Sequence, residues 1–323
     1  MTISSEKLSK EKLQELKRYI FMEFFSAALQ ACIDTIGPED TTKMFQPYNM
    51  LSGHAIVINL DAKNRFPHTQ NDLLRAAIQF YYIMPLVWMA SICNGFLTAN
   101  SFSADVTRCL GQNLPLLCEG CNTVAQAQVE TINPSFMFYC DAGLRKGQDR
   151  CKTTVRTKGG NADPIEEATT CILPVRVTEE EIDFWPVHYF TGYWSYATII
   201  LVDSVGEEKA REIWGPYFEN AGASVALMLK RELNIEETDA RGIGAIMDFL
   251  NDMSTQTGEL TQFTPNIVTR TINQCPFAGP GMCYQYKKVA DGVCRVINPN
   301  YEFKYESMMT RGDSSCKWVV SKR

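Results

Sequence analysis

Histidine is scarce in this chain of 323 residues, which has only His54, His68 and His188. None of the three stands beside the cysteine clusters, so histidine does not readily complete a metal site built on those cysteines. Blocks of lysine and arginine are also missing, and the net charge is −6. Nucleic-acid binding needs a clustered basic face that meets the phosphates, so we expect no nucleic-acid partner.

The N-terminal stretch lacks the apolar core of a secretory signal peptide, since residues 1–16 read MTISSEKLSKEKLQEL. We therefore expect no signal peptide. Twelve cysteines in such a chain indicate an intracellular protein with reduced thiols, because structural disulfides form in oxidising compartments. The sequence predicts a cytoplasmic location.

The second half of the chain repeats the first. Residues 132–138, INPSFMF, return as residues 297–303, INPNYEF, at a shift of 165 positions. Residues 132–155 and 297–320 share eight identities in 24 ungapped positions, among them Gly147 with Gly312 and Cys151 with Cys316. Positions that both copies share report on the fold, and positions that differ report on a site that one copy keeps.

The matches extend upstream at changed shifts, as expected when loops gain or lose residues. Gly53 matches Gly222 at a shift of 169, and residues 106–108 match residues 268–270, both Val-Thr-Arg, at a shift of 162. We place the first copy at residues 10–156, a linker at 157–183 and the second copy at 184–323. We expect the tandem copies to pack as a pseudo-twofold pair that imitates a homodimer.

No charged residue lies between positions 75 and 105, and most of residues 80–96 are apolar. Length alone makes this stretch a transmembrane candidate. The matching stretch of the second copy carries Asp248, Asp252 and Glu259. Because one copy tolerates carboxylates there, we predict a buried core helix and no membrane partner.

Each copy is predicted to place helices before strands. Helices are expected over 10–34 and 186–203, from 37 and 206 onward, and over 71–97 and 241–255. A shorter helix then stops before Asn-Pro in each copy, because the residue before proline is pushed out of the helical region. Alternating apolar residues around Gly147 and Gly312 predict a closing β-hairpin in each copy. The expected fold class is α+β.

Cysteines cluster after the helices of both copies, and a metal site is the first reading of them. Thiolates bind zinc tetrahedrally, and Cys118-x-x-Cys121 has the spacing that places two sulfurs on one ion. The predicted metal ligands are Cys118, Cys121, Cys151, Cys275 and Cys316, with zinc as the candidate ion. An iron–sulfur cluster or a haem is an open alternative, although the compact cysteine runs usual for iron–sulfur clusters are missing.

A catalytic site is the second reading. A nucleophilic thiolate needs a base or positive surroundings. Cys283 is the candidate nucleophile, with Asp291 two helical turns later and Glu306 on the following strand as acid or base. The third reading is structural, with the thiols as small buried side chains. The sequence pattern leaves all three readings open.

The arginines of the two Val-Thr-Arg blocks are candidate substrate ligands. Arg108 and Arg270 each follow a β-like Val-Thr pair. A guanidinium can hold a substrate carboxylate through two parallel hydrogen bonds. A buried structural salt bridge is the alternative reading.

Short motifs of the second copy occur in a characteristic order. They are residues 205–210 (VGEEKA), Gly222, residues 268–270 (VTR), residues 275–278 (CPFA), Cys283, residues 297–299 (INP) and residues 312–318 (GDSSCKW). In this order the copy resembles the L-2-amino-thiazoline-4-carboxylic acid hydrolase family. Its closing hairpin is also similar to the vinyl-reductase-type ligand-binding domain, a small-molecule- or metal-binding α+β module. The first copy departs from the pattern, since Leu110 and Gly111 follow Cys109.

The resemblance implies a hydrolase that opens a small sulfur–nitrogen heterocycle at a C–N or C–S bond. The family's shared positions fall on Cys275, Cys283 and Cys316. A metal at the site would polarise the substrate and lower the pKa of bound water. The alternative is a non-enzymatic sensor or carrier of a small molecule, metal or cofactor. Partners implied are a small-molecule ligand and an internal pseudo-dimer, with a further homodimer as an open alternative.

Overall fold

The computed structural model describes residues 8–62, 71–88, 90–109, 115–160, 169–170, 177–275 and 281–323. His68, Cys171, most of the predicted linker and residues 276–278 lie outside these ranges. Contacts divide the chain into two compact units. The middle unit is Gly37–Trp185, and the composite unit combines Met1–Ile36 with Pro186–Arg323.

Eight α-helices and nine strands occur in the described ranges. The helices are α1 (Lys10–Ile36), α2 (Pro38–Ala62), α3 (Asp72–Trp88), α4 (Pro115–Ile132), α5 (Glu179–Val205), α6 (Glu207–Glu232), α7 (Ala240–Met253) and α8 (Met282–Ile297). The strands are β1 (Ser91–Leu97), β2 (Ser101–Arg108), β3 (Phe136–Cys140), β4 (Cys151–Thr157), β5 (Thr169–Thr170), β6 (Thr257–Phe263), β7 (Ile267–Gln274), β8 (Tyr301–Ser307) and β9 (Cys316–Lys322). This confirms the predicted α+β class.

The two halves of the chain share an order of three helices, two strands, one helix and two strands, and the first half then adds the short strand β5. The sheet of the middle unit has the strand order β3-β4-β2-β1-β5, and that of the composite unit has the order β8-β9-β7-β6. Every pairing is antiparallel. Helix α1 is the exception to a simple division by sequence, because its contacts assign it to the composite unit.

The predicted helix over 71–97 is confirmed over Asp72–Trp88 and wrong at its C-terminal end. Helix α3 ends at Trp88, and residues 91–97 form β1, which pairs with β2. A continuous apolar run has the same appearance whether it is a buried helix or a buried strand. The pairing with β2 decides between them, and local pattern does not show it.

The ends of the other elements follow the local sequence. Helices α4 and α8 stop before the two Asn-Pro pairs, and Asn298 has the extended backbone that a following proline demands. Hairpins β3–β4 and β8–β9 close the two sheets. Gly147 (φ +80°) and Gly312 (φ +96°) each end a short 3-10 turn inside these hairpins, in the left-handed conformation that glycine adopts without strain.

Helix α1 packs inside the composite unit through aromatic side chains. The ring centroids of Phe24 and Trp194 lie 5.5 Å apart, as do those of Phe25 and Tyr193. Among the described helices, α1 alone has the length and hydropathy to cross a membrane, and 44% of its most apolar 18-residue window is buried in the protein. The charge-free run of residues 76–104 includes parts of α3 and β2 and all of β1.

Two matched glycines bring helices into backbone contact. A Cβ atom on Gly53 of α2 would lie 2.3 Å from the carbonyl oxygen of Val124 on α4. A Cβ atom on Gly222 of α6 would lie 2.1 Å from the carbonyl oxygen of Val289 on α8. Any side chain at these positions would separate the helices. The absence of a side chain therefore sets the positions of α4 and α8, which carry the cysteines.

Candidate functional site

Five cysteines line one small cavity in the middle unit, which we call the five-cysteine cavity. Cys109 follows β2, Cys118 and Cys121 lie one turn apart on α4, Cys140 ends β3 and Cys151 begins β4. The cavity has a volume of about 40 Å³. The fold therefore gathers thiols from four separate chain segments at one point.

Besides the five cysteines, the polar residues Asn122 and Thr153 line this cavity. Its apolar wall is formed by Met84, Val106, Leu117, Phe138 and Leu144. The sulfurs of Cys140 and Cys151 and a carboxylate oxygen of Asp141 all lie within 4.8 Å of one another. Asp141 already accepts hydrogen bonds from the amides of Gly143 (3.0 Å) and Lys152 (2.8 Å), which hold the hairpin turn.

Burial raises the pKa values of three of these thiols. It raises the pKa of Cys140 to about 12, and that of Cys118 above its usual value. The pKa of Cys121 is raised well above its usual range, by burial first and then by the other four cysteines of the cavity. Without a metal, these three side chains are protonated at neutral pH. Cys121 interacts electrostatically with all four others and therefore lies at the centre of the cluster.

Backbone amides point at two of the sulfurs. The Leu144 amide donates to Cys151 Sγ at 3.3 Å. Burial is the largest effect on the pKa of Cys140 and raises it, whereas a hydrogen bond from the Ala142 amide lowers this pKa. Ala142 has φ +53°, a left-handed conformation uncommon for a residue with a Cβ atom. Both amides would stabilise negative charge on sulfur, and backbone strain of this kind often accompanies functional sites.

The composite unit has a smaller cavity built from the corresponding elements, which we call the mixed cavity. Its volume is about 30 Å³. Cys275 follows β7, Cys283 and Tyr286 lie on α8, Tyr305 lies on β8 and Cys316 begins β9. As in the middle unit, an amide of the hairpin turn donates to the last cysteine, here from Met309 to Cys316 Sγ at 3.2 Å.

The shift of 165 that relates the closing hairpins also relates the two cavities. It matches Cys118 with Cys283 and Cys151 with Cys316. The same shift places Tyr286 at the position of Cys121 and Tyr305 at the position of Cys140. Among the cysteines of α4 and the closing hairpin, two are therefore kept in the second cavity and two are exchanged for tyrosine.

The two Val-Thr-Arg blocks lie at different register positions, which corrects their match in the sequence. Val106 lies opposite Cys151, whereas Val268 lies opposite Val320. The middle-unit strand residue opposite Val155, the match of Val320, is Phe102. By strand pairing, the two Val-Thr-Arg blocks therefore lie four positions apart. Register follows the alternation of buried side chains and not local sequence identity.

Arg108 and Arg270 consequently have different environments. Arg108 is exposed at the end of β2, opposite Ser91. Arg270 is 3% exposed and forms ion pairs with Asp248 and, at 2.8 Å, with Asp252. Burial lowers the pKa of Arg270, but these carboxylates outweigh burial and leave it raised. The geometry of Arg270 is that of the buried structural salt bridge, the alternative to substrate binding.

Asp291 and Glu306 are engaged with lysines. Asp291 lies eight residues after Cys283, about 12 Å along the axis of α8, and accepts from Lys287 at 2.9 Å. Glu306 is exposed and pairs with Lys317 at 2.7 Å. The described contacts do not bring the three predicted catalytic groups together.

Of those three residues, Cys283 lines the mixed cavity. Burial raises its pKa, and the Thr310 hydroxyl, 3.7 Å from the sulfur, opposes this. The thiol form is thereby favoured at neutral pH, whereas nucleophilic catalysis requires the thiolate. A bound substrate or metal would have to supply the missing stabilisation.

A larger cleft of about 620 Å³ adjoins the mixed cavity and shares Cys283 and Tyr305 with it. We call it the basic cleft, because its lining includes Arg211, Lys287, Lys304 and Arg311. Arg211 pairs with Glu207, Lys287 with Asp291 and Lys304 with Glu302. Within the described ranges, the guanidinium of Arg311 has no carboxylate partner. The cleft therefore keeps an uncompensated positive charge.

The five predicted metal ligands divide between the two cavities. Cys118, Cys121 and Cys151 line the five-cysteine cavity, and Cys275 and Cys316 line the mixed cavity. The prediction left out two thiols of the five-cysteine cavity. A signal for one of them was present, since the shift that sets Tyr286 against Cys121 also sets a tyrosine against the cysteine that ends β3.

No family model matches the chain, and no curated protein matches its sequence. The functional inference therefore depends on the side-chain geometry of the two units and on the chemistry of thiols, phenols and charged groups.

Proposed function

We propose that the middle unit binds one soft metal ion in the five-cysteine cavity. The observation that supports this is the convergence of five thiols, from four chain segments, on a space of about 40 Å³. Cysteine sulfur is the ligand typical of zinc and copper(I) sites. A cavity of this size admits at least one water-sized sphere, so a single ion fits it.

The donor set fits tetrahedral coordination. Cys118 and Cys121 are one helical turn apart on one face of α4, and Cys140 and Cys151 lie on paired strands with sulfurs within 4.8 Å. Sulfurs bound to one zinc ion are about 3.8 Å apart, given Zn–S bonds of about 2.3 Å. The sulfurs of Cys140 and Cys151 approach this spacing, and Cys118, Cys121 and Cys109 line the same cavity, so we propose that side-chain rotation brings two further thiols onto the ion.

The surrounding backbone is suited to thiolate ligands. The thiols are held protonated by burial, so a metal would bind with release of protons. The amides of Leu144 and Ala142 then donate to charged sulfur. Hydrogen bonds around the ligands tune the affinity of metal sites. The function supported best is that of a metal sensor or carrier.

Metal titration of the full chain, purified under reducing conditions, tests this proposal. We expect about one equivalent of zinc or copper(I) to bind with proton release, and elemental analysis with an absorption spectrum identifies the ion. Cys121→Ser and Cys140→Ser should each weaken binding by about tenfold or more. Cys294→Ala removes a buried thiol of α8 outside both cavities and should leave affinity unchanged.

Two results would overturn the metal proposal. One is a folded, reduced protein that binds neither zinc nor copper(I). The other is unchanged binding after both serine substitutions, which would place the metal elsewhere.

As a second candidate we propose hydrolysis of a small sulfur–nitrogen heterocycle, such as L-2-amino-thiazoline-4-carboxylate, in the composite unit. The basic cleft supports it, because it reaches Cys283 and has the size of a small-molecule site. The same half of the chain contains the motifs that resemble the hydrolase family. If Cys283→Ala hydrolyses aminothiazoline carboxylates as fast as the unchanged protein, a catalytic role for Cys283 is excluded.

We also propose that the two halves arose as tandem copies and pack as a pseudo-twofold pair in a cytoplasmic protein. Their common order of helices and strands, and their common strand order, support the duplication. Light scattering of the full chain tests for a further homodimer. A single-chain mass over a range of protein concentrations would exclude one.

A further inference from the structure

A buried phenol in the mixed cavity has no hydrogen-bond partner among the residues that the structure describes. Tyr286 is 7% exposed, and its hydroxyl makes no hydrogen bond to any described residue. A buried polar group without a partner is rare, because desolvation then goes uncompensated. Tyr286 lines the mixed cavity beside Cys283 and Tyr305, and both of these residues also face the basic cleft.

A cation in the adjoining cleft is also unpaired among the described residues. Arg311 is exposed at the rim of the basic cleft, where it lies close enough to lower the pKa of Cys283 against the dominant effect of burial. The other three cations of the cleft are each held by a carboxylate. Arg311 is therefore the natural counter-ion for a ligand.

We propose that the basic cleft and the mixed cavity together bind a small organic anion. Its carboxylate or phosphate group pairs with Arg311, and a polar atom at its other end hydrogen-bonds to the hydroxyl of Tyr286. This site is independent of the metal site, which belongs to the other unit. It also stands whether or not the bound molecule is hydrolysed at Cys283.

The start of α8 adds to the attraction for an anion. Gly281, the residue that precedes the helix, and Cys283 in its first turn both line the cleft. No side chain caps this helix end in the described residues. The first amides of a helix point outward and carry partial positive charge, so they favour an anion there. Two features of different origin, the helix end and Arg311, thus favour the same charge.

Size and lining indicate an organic rather than an inorganic ligand. The volume of about 620 Å³ falls in the range of small-molecule sites, far above that of a bare phosphate. Tyr284 and Tyr305 provide aromatic surface, and Arg211 lies 5.8 Å above the ring of Tyr284. A flat or partly apolar body would pack on this surface.

Two of the cleft's four cations have no cationic counterpart in the middle unit, although Arg311 corresponds to Lys146 there. At the shift of 165, Lys287 and Lys304 correspond to Asn122 and Tyr139 of the middle unit. The middle unit thus keeps the thiols without these cations, and the composite unit gains cations where it loses two thiols. The loss of two thiols and the gain of two lysines in the composite unit are consistent with different ligands in the two units.

Calorimetric titration of the full chain at low ionic strength tests the proposal with three probes: nicotinate, citrate and inorganic phosphate. We expect saturable binding of at least one organic acid, and weaker binding at higher salt because the pairing is electrostatic. Arg311→Gln should weaken it by about tenfold or more, the effect of losing one charge-assisted hydrogen-bonded pair. The matched control is Arg231→Gln, at the exposed end of α6 and outside the cleft.

Tyr286→Phe completes the test, because it removes the hydroxyl and keeps the ring. Weaker binding of the organic probe in this variant, with unchanged melting temperature or a higher one, supports direct contact with the hydroxyl. The proposal is overturned if neither organic acid saturates the protein. It is also overturned if Arg311→Gln and Arg231→Gln bind the organic probe equally well, or if phosphate alone binds.

Discussion

The five-cysteine cavity and the mixed cavity are built on the same frame of corresponding helices and strands, but their side chains differ in chemistry. Each is enclosed by the helix that precedes the closing hairpin, by the hairpin itself and by the residue that follows an inner strand of the sheet. Cys121 and Cys140 in one are Tyr286 and Tyr305 in the other. The difference shows that the fold fixes where side chains converge, while residue type alone decides what can bind there.

The two tyrosines are poor substitutes for thiolates. Burial raises the pKa of Tyr286, and the pKa of Tyr305 is raised well above its usual range by burial and then by neighbouring Tyr286 and cysteines. Neutral phenols do not compete with thiolates for soft ions. The mixed cavity therefore keeps three thiols instead of five, and its neighbouring cleft provides cations instead.

Making the middle unit resemble the composite unit should have the largest effect. We expect Cys121→Tyr combined with Cys140→Tyr to reduce zinc affinity by about 100-fold or more, since two ligands are lost. Competition with a coloured chelator measures this. Because tyrosine adds bulk, Cys121→Ala with Cys140→Ala is the companion variant, and full affinity in that folded variant would contradict the assignment.

The reverse exchange should create a second metal site. Tyr286→Cys combined with Tyr305→Cys restores five thiols in the mixed cavity, so zinc stoichiometry should rise from about one to about two. Each truncation also leaves a cavity and should cost about 2–4 kcal/mol before metal binds. Titration with circular dichroism as a folding control measures both. A folded double variant that still binds one ion would show that the frames differ.

The two arginines should differ strongly in their contribution to stability. Arg270→Met leaves buried Asp248 unpaired and should lower the free energy of unfolding by about 3–5 kcal/mol. Arg108→Met changes an exposed side chain and should shift it by less than about 0.5 kcal/mol. Urea denaturation of both variants compares them. Equal losses of unfolding free energy in the two variants would indicate that Arg108 and Arg270 have equivalent roles, as the sequence match suggested.

Alkaline pH should destabilise the metal-free protein. Unfolded thiols ionise near pH 9, whereas burial raises the pKa of Cys140 and of Cys294 to about 12 in the folded protein. Between these values the folded state binds more protons, so its stability falls as pH rises from about 9 to about 12. Thermal melts over this range measure the slope. Cys140→Ala should flatten it, whereas an unchanged slope would show that this thiol is not buried.

The smallest effect is expected from the unpaired phenol. Tyr286→Phe removes a hydroxyl that has no partner among the described residues, so unliganded stability should rise by up to about 1 kcal/mol. Melting temperature measures the change, with Tyr301→Phe as a contrast because its hydroxyl donates to Pro265 at 3.0 Å. A clear loss of stability in Tyr286→Phe would mean that the hydroxyl has a partner.

Features with a local cause were predictable from the sequence. The ends of α4 and α8 before Asn-Pro, and the turns at Gly147 and Gly312, depend on the backbone preferences of single residues. The α+β class follows from the order of such signals along the chain. The change of β1 from the predicted helix did not follow, because its seven residues acquire their conformation from pairing with β2.

Features that depend on distant contacts were not predictable in this way. The role of Arg270 is decided by Asp248 and Asp252 on another element, and the register of β7 is decided by β9. The sequence contained the cysteines but did not show which of them share a cavity. Comparison of the two copies indicated one of the positions at which the cavities differ, because it paired Cys121 with Tyr286.

Gly53 and Gly222 mark the positions in each unit that tolerate substitution least. They hold α4 against α2 and α8 against α6 through direct backbone contact, so these helix positions depend on the missing side chain. A residue inside the cavity can be exchanged without moving its neighbours far, as cysteine and tyrosine at matched positions show. A single methyl group at either glycine would displace every ligand on the helix together. The chain is thus most adaptable where it is chemically active, and least adaptable where it has no side chain.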